Sequence, residues 1–254
     1  MTKYINNFKI AQNIKLNSEY FILELLCPEK LSEILPGQFV EVLVENSSNT
    51  FLRRPISIFD VNYENNSLKL LIKIIGDGTK KLSELSINSK LNLIYPLGNS
   101  YSLPNCKDVL LIGGGCGIAP LFYTAKFFKN YNVNFTLLLG FREKSQVILQ
   151  KEFSELGKIF YTTDDGGFGE RGNVLQHSIL KNNNFEKIYS CGPEIMMKNI
   201  AIWAKNKNID CEVSLENLMA CGLGACLCCV QKTKSGNKCV CTEGPVFNVN
   251  DLLW

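Results

Sequence analysis

The spacing of apolar positions changes twice along this chain. Over the first hundred or so residues, Ile, Leu, Val and Phe gather in six short runs: FKIAQNIKL, YFILELLC, GQFVEVLVE, RRPISIFDV, SLKLLIKII and KLNLIYPLG. Gly, Asn, Ser and Pro punctuate them at intervals of about ten residues, which predicts a small antiparallel barrel. One helix is expected to interrupt it at TKKLSEL, beginning at Thr79, a residue type suited to an N-cap. From Asp108 onward, strand-like runs (DVLLIGGG, NFTLLLGFR, KIFYTTDD, KIYSCGP) alternate with helical ones (APLFYTAKFFKNY, SQVILQKEFSEL, NVLQHSILKN, EIMMKNIAIWAKNKN). That alternation predicts a doubly wound parallel sheet covered by helices. Past Val213 the periodicity fades. The remaining stretch of about forty residues is too small for a core of its own, so a cofactor is expected to hold it. The pattern thus divides the chain into an all-β segment (1–103), an α/β segment (104–213) and a cysteine-rich tail (214–254).

Composition narrows the function classes. Hydrophobic residues make up 46% and charged residues 20% of the 254 positions, as expected of a folded globular chain. The net charge of +3 is small and dispersed, with no basic block interleaved with aromatics, so nucleic acid is not an expected partner. MTKYINNFKI lacks the apolar run of a signal peptide, and no apolar stretch approaches the roughly 18 residues of a membrane span. A cytoplasmic location is therefore expected. There, eleven cysteines, six of them between positions 220 and 247, point to metal rather than to disulfides.

Cys221, Cys226 and Cys229 stand as C-x4-C-x2-C, the plant-type [2Fe–2S] spacing. Three thiolates from one tight loop can converge on a compact cluster while a fourth arrives from elsewhere. Gly222 and Gly224 would let the loop curl and bring backbone N–H groups to the cluster. A structural zinc site is the competing reading, but Cys226/Cys229 and Cys239/Cys241 do not form two C-x2-C knuckles. Spacing alone leaves Cys239 and Cys241 both open as the fourth ligand. Cys228, beside Cys229, should point away from it.

Three glycine-bearing turns follow strands of the α/β segment: LLIGGGCGIAPL, TDDGGFGERG and SCGP. All three are expected at one edge of the sheet, where such sheets bind ligands. Gly114, Gly115 and Gly117 would admit the phosphates of a nicotinamide nucleotide. Cys191 reads either as a pocket residue against the nicotinamide or as a buried small hydrophobe. Arg142, in GFREKS, stands where a 2′-phosphate might be met, but NAD is the expected nucleotide. His177, the only histidine, is expected on a surface helix, structural or solvated.

In the barrel, RRPISI offers Arg54 to a pyrophosphate and Ser57 to a flavin ring edge, and GDGTKKL adds Gly78 and Thr79 as a second phosphate site. Hydride carriers give two electrons at once, and an iron–sulfur cluster takes one. A flavin converts between the two.

These motifs give the chain a specific likeness. PGQFVEV, RRPISI, GDGTKKLS, YPLGNSY, LLIGGGCGIAPL, TDDGGFGERGNV, SCGPEIMM and SLENLMACGLGACLCCV…CTEGPVF occur in family order over essentially the whole length. The chain resembles the ferredoxin reductase-like flavoproteins and, more closely, the electron-transfer subunits of two-subunit, NAD-linked dihydroorotate dehydrogenases. The resemblance implies FAD contacts at Arg54, Pro55, Ile56, Ser57, Leu71, Ile72, Lys73, Gly78 and Thr79. It also implies a [2Fe–2S] cluster on Cys221, Cys226, Cys229 and Cys241, because the family's fourth ligand precedes the x-x-G-P-V-F turn. The implied partner is an FMN-containing catalytic subunit that oxidises dihydroorotate in pyrimidine biosynthesis, typically as a heterotetramer of two of each subunit. Electrons would pass from that FMN through the cluster to FAD and then to NAD+. Ser100 and Gly167 depart from the common family residues, Gly and Ser, at positions that are not implied ligands. The rival within the superfamily is the flavin and iron–sulfur subunit of a sulfide dehydrogenase or a ferredoxin–NADP transhydrogenase. Some of these replace one cysteine ligand by aspartate. A zinc-stabilised binding module without redox activity would leave RRPIS and the glycine loop unexplained.

Overall fold

In the computed structural model, residues 2–45, 47, 49–182 and 184–254 are described. The chain forms two compact units. The first comprises Met1–Ser100 with Asn217–Gln231 and Lys238–Pro245, and the second Tyr101–Glu216 with Lys232–Asn237 and Val246–Trp254.

The first unit is the expected barrel. Its strands are β1 (Tyr4–Lys15), β2 (Tyr20–Leu26), β3 (Phe39–Val42), β4 (Arg54–Asn62), β5 (Ser67–Lys73) and β6 (Lys90–Leu97). They close antiparallel in the order β1-β2-β5-β4-β3-β6. Period-two alternation sends Phe8, Ile10, Leu23, Leu25, Ile58, Leu68, Leu70 and Leu93 into a core from which water is excluded. Each such side chain contributes roughly 1.5–3 kcal/mol. Helix α1 (Asp77–Ser83) follows β5 but does not begin at Thr79. Its N-cap is Gly76, and Thr79 is the third helical residue, where its Oγ1 accepts from the backbone N–H of Ile75 (2.9 Å) and Gly76 (3.2 Å). The hydroxyl thus caps the turn backwards, from inside the helix.

The second unit carries β7 (Val109–Gly114), α2 (Ile118–Asn130), β8 (Phe135–Phe141), α3 (Gln150–Ser154), β9 (Lys158–Thr163), β10 (Glu170–Arg171), α4 (Ile179–Asn182), β11 (Lys187–Cys191), α5 (Glu194–Asn206) and β12 (Asp210–Ser214). The tail then adds strands β13 (Val230–Thr233) and β14 (Gly236–Cys239), helix α6 (Val240–Glu243) and strand β15 (Val246–Asn248). The sheet order is β10-β9-β8-β7-β11-β12-β15, parallel except for the last pair. The central strands are apolar on both faces, as helix-covered parallel strands must be: Leu110, Leu111, Ile112, Leu137, Leu138, Leu139 and Ile188 are fully buried. Among the described residues no helix is long and apolar enough to cross a membrane.

Where the parallel strands begin, a closed polar network fixes the edge. Lys187 Nζ bonds Asp210 and, at 2.8 Å, Glu212. Glu212 accepts from Ser102 N (3.0 Å) and Ser102 Oγ (2.5 Å), and Tyr189 OH donates to Ser102 O (2.8 Å). Burial works against the Lys187 charge, but its bonds to the two carboxylates outweigh that and hold its pKa above the ordinary value.

His177 is not on a surface helix. It follows a short 3-10 turn, is buried, and stacks edge-on against Phe160. Its Nδ1 accepts from Ile179 N at 3.0 Å and its Nε2 lies 3.4 Å from Glu170 Oε1. Burial lowers its pKa. The run NVLQHSILKN was expected as one helix; it breaks at this residue into the turn and α4.

Candidate cofactor and iron–sulfur sites

In the first unit, the β4–β5 ladder runs from Asn62↔Ser67 to Ile58↔Leu70 and ends there. Arg54–Ser57 and Leu71–Lys73 therefore lie beyond the point where the two strands part. Arg54 to Ser57 are half-buried, whereas Leu71 and Ile72 have buried side chains and could offer a ligand only backbone groups. The two arginines of RRPIS separate by function. Arg53 is anchored, donating to Glu41 O (3.2 Å), Asn92 O (3.3 Å) and Asn92 Oδ1 (2.6 Å). Arg54 bonds only the nearby carbonyls of Leu52 (3.0 Å) and Arg53 (3.2 Å), contacts that cost little to exchange. A Cβ on Gly78 would stand 3.0 Å from Arg54 Nε and 3.1 Å from Thr50 Cγ2, so α1 brings Gly78 to Arg54. The buried Thr50 hydroxyl beside them has no hydrogen-bond partner in the chain. A guanidinium free to move, a glycine backbone and an unsatisfied hydroxyl fit a phosphate-bearing flavin nucleotide. The Lys73 side chain is engaged elsewhere, with Glu19 Oε2 at 2.9 Å and over the Tyr20 ring.

The cysteine loop packs in the same unit. Gly222 (φ +67°) has no room for a side chain: a Cβ would meet Glu41 Cγ at 2.7 Å. Cys221 and Cys226 form one hydrogen-bonded thiol pair, and the N–H of Leu223 reaches Cys221 Sγ at 3.3 Å. The Leu223 N–H is the main influence that lowers the Cys221 pKa to about 6, aided by the N–H groups of Cys226 and Ala225. Cys229 and Cys241 form the second pair, with the Cys241 N–H 3.4 Å from Cys229 Sγ. Burial, with the Cys229 bond added, pushes Cys241 up to about 12. Among the described residues no three His, Cys, Asp or Glu side chains converge on a single ion position. Two pairs fit a two-iron cluster, in which four thiolates serve two metals, better than they fit one zinc ion. Cys241 lies in α6 rather than in a turn leading to a strand. Cys228 points outward and Cys229 inward, as adjacency required.

Sequence reasoning missed the residues that hold Cys241's segment. Asn99 N donates to Gly244 O (2.6 Å) and Asn99 Nδ2 to Glu243 O (3.0 Å), while a Cβ on Gly98 would collide with Pro245 at 2.4 Å. The only signal was PLGN itself, quoted as a motif but given no role. Glu41 was missed as well. It is fully buried beneath the cysteine loop with neither carboxylate oxygen bonded, and burial raises its pKa to about 7 against the lowering influence of Arg53.

In the second unit, β7, β9 and β11 end together at Gly114, Thr163 and Cys191, which puts the three glycine turns on one sheet edge. Gly117 packs against protein: a Cβ there would lie 2.4 Å from Cys191 C and Gly192 N. Gly114 likewise faces Met196 Sδ at 2.6 Å. These two glycines let the GGGCG turn seat against the CGP turn, and Gly115, at φ +54°, supplies the bend. Cys191 is fully buried, 3.8 Å from Glu216 Oε1, and burial holds its thiol well above the ordinary range. It is no thiolate nucleophile.

An antiparallel barrel with a split flavin-type strand pair, a parallel sheet with glycine turns at one edge, and paired cysteines define an FAD- and NAD-binding oxidoreductase with an iron–sulfur tail. Three family models match in that sense: an oxidoreductase FAD-binding domain over residues 1–101, an oxidoreductase NAD-binding domain over 111–201, and the iron-sulfur cluster binding domain of dihydroorotate dehydrogenase B over 216–253. The electron transfer subunit of dihydroorotate dehydrogenase B (NAD(+)) from Clostridium acetobutylicum is 36% identical over 96% of both chains. That from Streptococcus pneumoniae R6 is 37% identical over 91% of this chain and 93% of its own. The chain belongs to the family of dihydroorotate dehydrogenase B electron transfer subunits. Among solved structures, a chain of the NADH-dependent reduced ferredoxin-NADP oxidoreductase is similar at a TM-score of 0.87 and 29% identity, covering 97% of this chain and 90% of that one. The ferredoxin reductase in carbazole 1,9a-dioxygenase shares the fold at a TM-score of 0.71 and 18% identity, over 82% of this chain and 67% of that one.

Proposed function

We propose that this chain passes electrons from an FMN-containing dihydroorotate dehydrogenase subunit to NAD+, in an assembly of two of each subunit in the cytoplasm. The observation that carries the reading is the pairing of Cys221 with Cys226 and of Cys229 with Cys241 in the unit that also holds the split β4–β5 edge. Cys221, Cys226, Cys229 and Cys241 hold a [2Fe–2S] cluster. Cys228 and Cys239 are bystanders. Arg54 and the Gly78–Thr79 backbone bind the FAD pyrophosphate, and Pro55, Ile56, Ser57 and the backbone of Leu71–Lys73 line the flavin. Gly115 and the sheet-edge turns around it receive NAD, with Cys191 behind the nicotinamide. When bound, FAD and the cluster supply the exchange between hydride and single-electron transfer.

The chain's own residues do no covalent chemistry. The Leu223 N–H holds the Cys221 sulfur in its ionised form, the form that binds iron. Burial of Cys229 and Cys241 keeps water from the inner side of the loop. Gly98 and Asn99 hold the Glu243–Pro245 turn and so the position of Cys241. Relatives and the similar ferredoxin-NADP oxidoreductase chain share this architecture, so the electron donor distinguishes the two activities. The test is spectral and kinetic. The purified chain should show flavin bands over broad iron–sulfur absorption and reduce a dye with NADH. It should turn over dihydroorotate only when the FMN subunit is added. A colourless protein, or reduction of ferredoxin with no response to that subunit, would overturn the reading.

A further inference from the structure

The thirteen residues from Leu218 to Val230 include no Asp, Glu, Lys, Arg or His. Within this stretch Leu218 is 86%, Leu223 46% and Leu227 62% exposed. Single exposed leucines are ordinary, but three on one uncharged loop, beside the exposed Cys226, make a patch. Leu227 also holds a left-handed backbone (φ +57°), which costs a bulky residue about 1–2 kcal/mol, and its side chain gains little burial in return. Strain of this kind persists at sites that serve a purpose.

The four cysteines differ in depth. Cys229 and Cys241 are buried, Cys221 is intermediate and Cys226 is exposed. A cluster held by them has its outer edge at Cys226, and a protein that exchanges electrons there must cover the leucines around it. A charged face would strand its own charges against this loop without partners. We infer that Leu218, Leu223 and Leu227 form the docking surface for the catalytic dehydrogenase subunit, which meets them with an apolar, uncharged face. The inference rests on the proposed function. It adds that recognition at this port is hydrophobic, whereas protein electron-transfer encounters can also be steered by charge.

The test uses the cofactor-loaded chain and the FMN-containing catalytic subunit, with their dissociation constant measured at about 0.1 and about 1 M salt, where the screening length falls from ~10 to ~3 Å. Leu218→Asp and Leu227→Asn should each weaken binding about tenfold or more, as central apolar anchors do. Asn tolerates the left-handed backbone, so the loop is preserved. Wild-type affinity should change less than about threefold between the two salt concentrations. The visible spectrum and NADH-driven dye reduction should match the wild type in both variants. Variants that bind like the wild type, or a wild-type affinity that collapses in high salt, overturn the inference while leaving the proposed function standing. Loss of self-association with catalytic-subunit binding intact would assign the patch to a second copy and also overturn it. If the wild-type chain, its cluster absorption intact, does not bind the catalytic subunit at all, the functional reading fails and the inference with it.

Discussion

Both units bury a charged side chain, and they treat it in opposite ways. Where the sheet strands begin, Lys187 is enclosed by Asp210 and Glu212, and Glu212 is in turn bonded twice by Ser102. Beneath the cysteine loop, Glu41 is equally buried, with both oxygens unbonded and only the spread charge of Arg53 and Arg54 nearby. The first arrangement is complete within the chain and stabilises the fold. The second is costly by itself and sits where the chain is proposed to hold a metal cluster. Buried polar groups therefore distinguish scaffold from site by whether their bonds close.

The sharpest way to test the division is to remove a proposed ligand. Cys226→Ala should abolish electron transfer from dihydroorotate to NAD+ in the assembled enzyme while leaving NADH-driven FAD reduction intact, as read by stopped-flow absorbance. If dihydroorotate still reduced NAD+ at the normal rate, the loop would not be the electron port. Lys187→Met tests the opposite region. It leaves Glu212 buried without its cation and should cost about 3–5 kcal/mol in urea denaturation, with the flavin spectrum of the folded fraction unchanged. Glu41 sharpens the contrast through pH. Its carboxyl is held neutral in the folded chain up to about pH 7 but ionises near 4.5 when unfolded, so stability falls as pH rises across that window. Glu41→Gln should remove a loss of about 3 kcal/mol between pH 4.5 and 7. Equal slopes for the two proteins would show that Glu41 finds a partner. The smallest effect is expected from Gly98→Ala, which puts a methyl against Pro245 on a φ +76° backbone. A loss of about 1–3 kcal/mol is expected, with faster loss of iron–sulfur absorbance on chelation than in the wild type.

The strands and the glycine turns were legible because their signals are local. Period-two runs between Gly and Asn located all six barrel strands, and alternation with helices located the parallel sheet. The register was not legible. Nothing in RRPIS tells which arginine is tied down. That depends on Asn92 and on Glu41, which come close only once the barrel closes. Thr79 misled because threonine serves at an N-cap and, as here, at the third helical position, where its hydroxyl reaches back. His177 misled because its burial comes from Phe160 on a strand and not from its neighbours in sequence. The cysteine spacing identified the loop, while Gly98 and Asn99, which hold the far segment, carry no chemistry that would single them out.

After Glu216 the chain changes unit at residues 217, 232, 238 and 246, and it ends as the edge strand of the sheet. The iron–sulfur segment is therefore stitched into the protein rather than appended to it. Cutting it off before Asn217 would also strip β15 from β12 and expose an unpaired strand edge, a template for aggregation. Engineers who wish to move this cluster to another reductase cannot lift it out as a cassette. The recipient must supply both a barrel end shaped like Gly98–Asn99 and a sheet edge with room for one more strand.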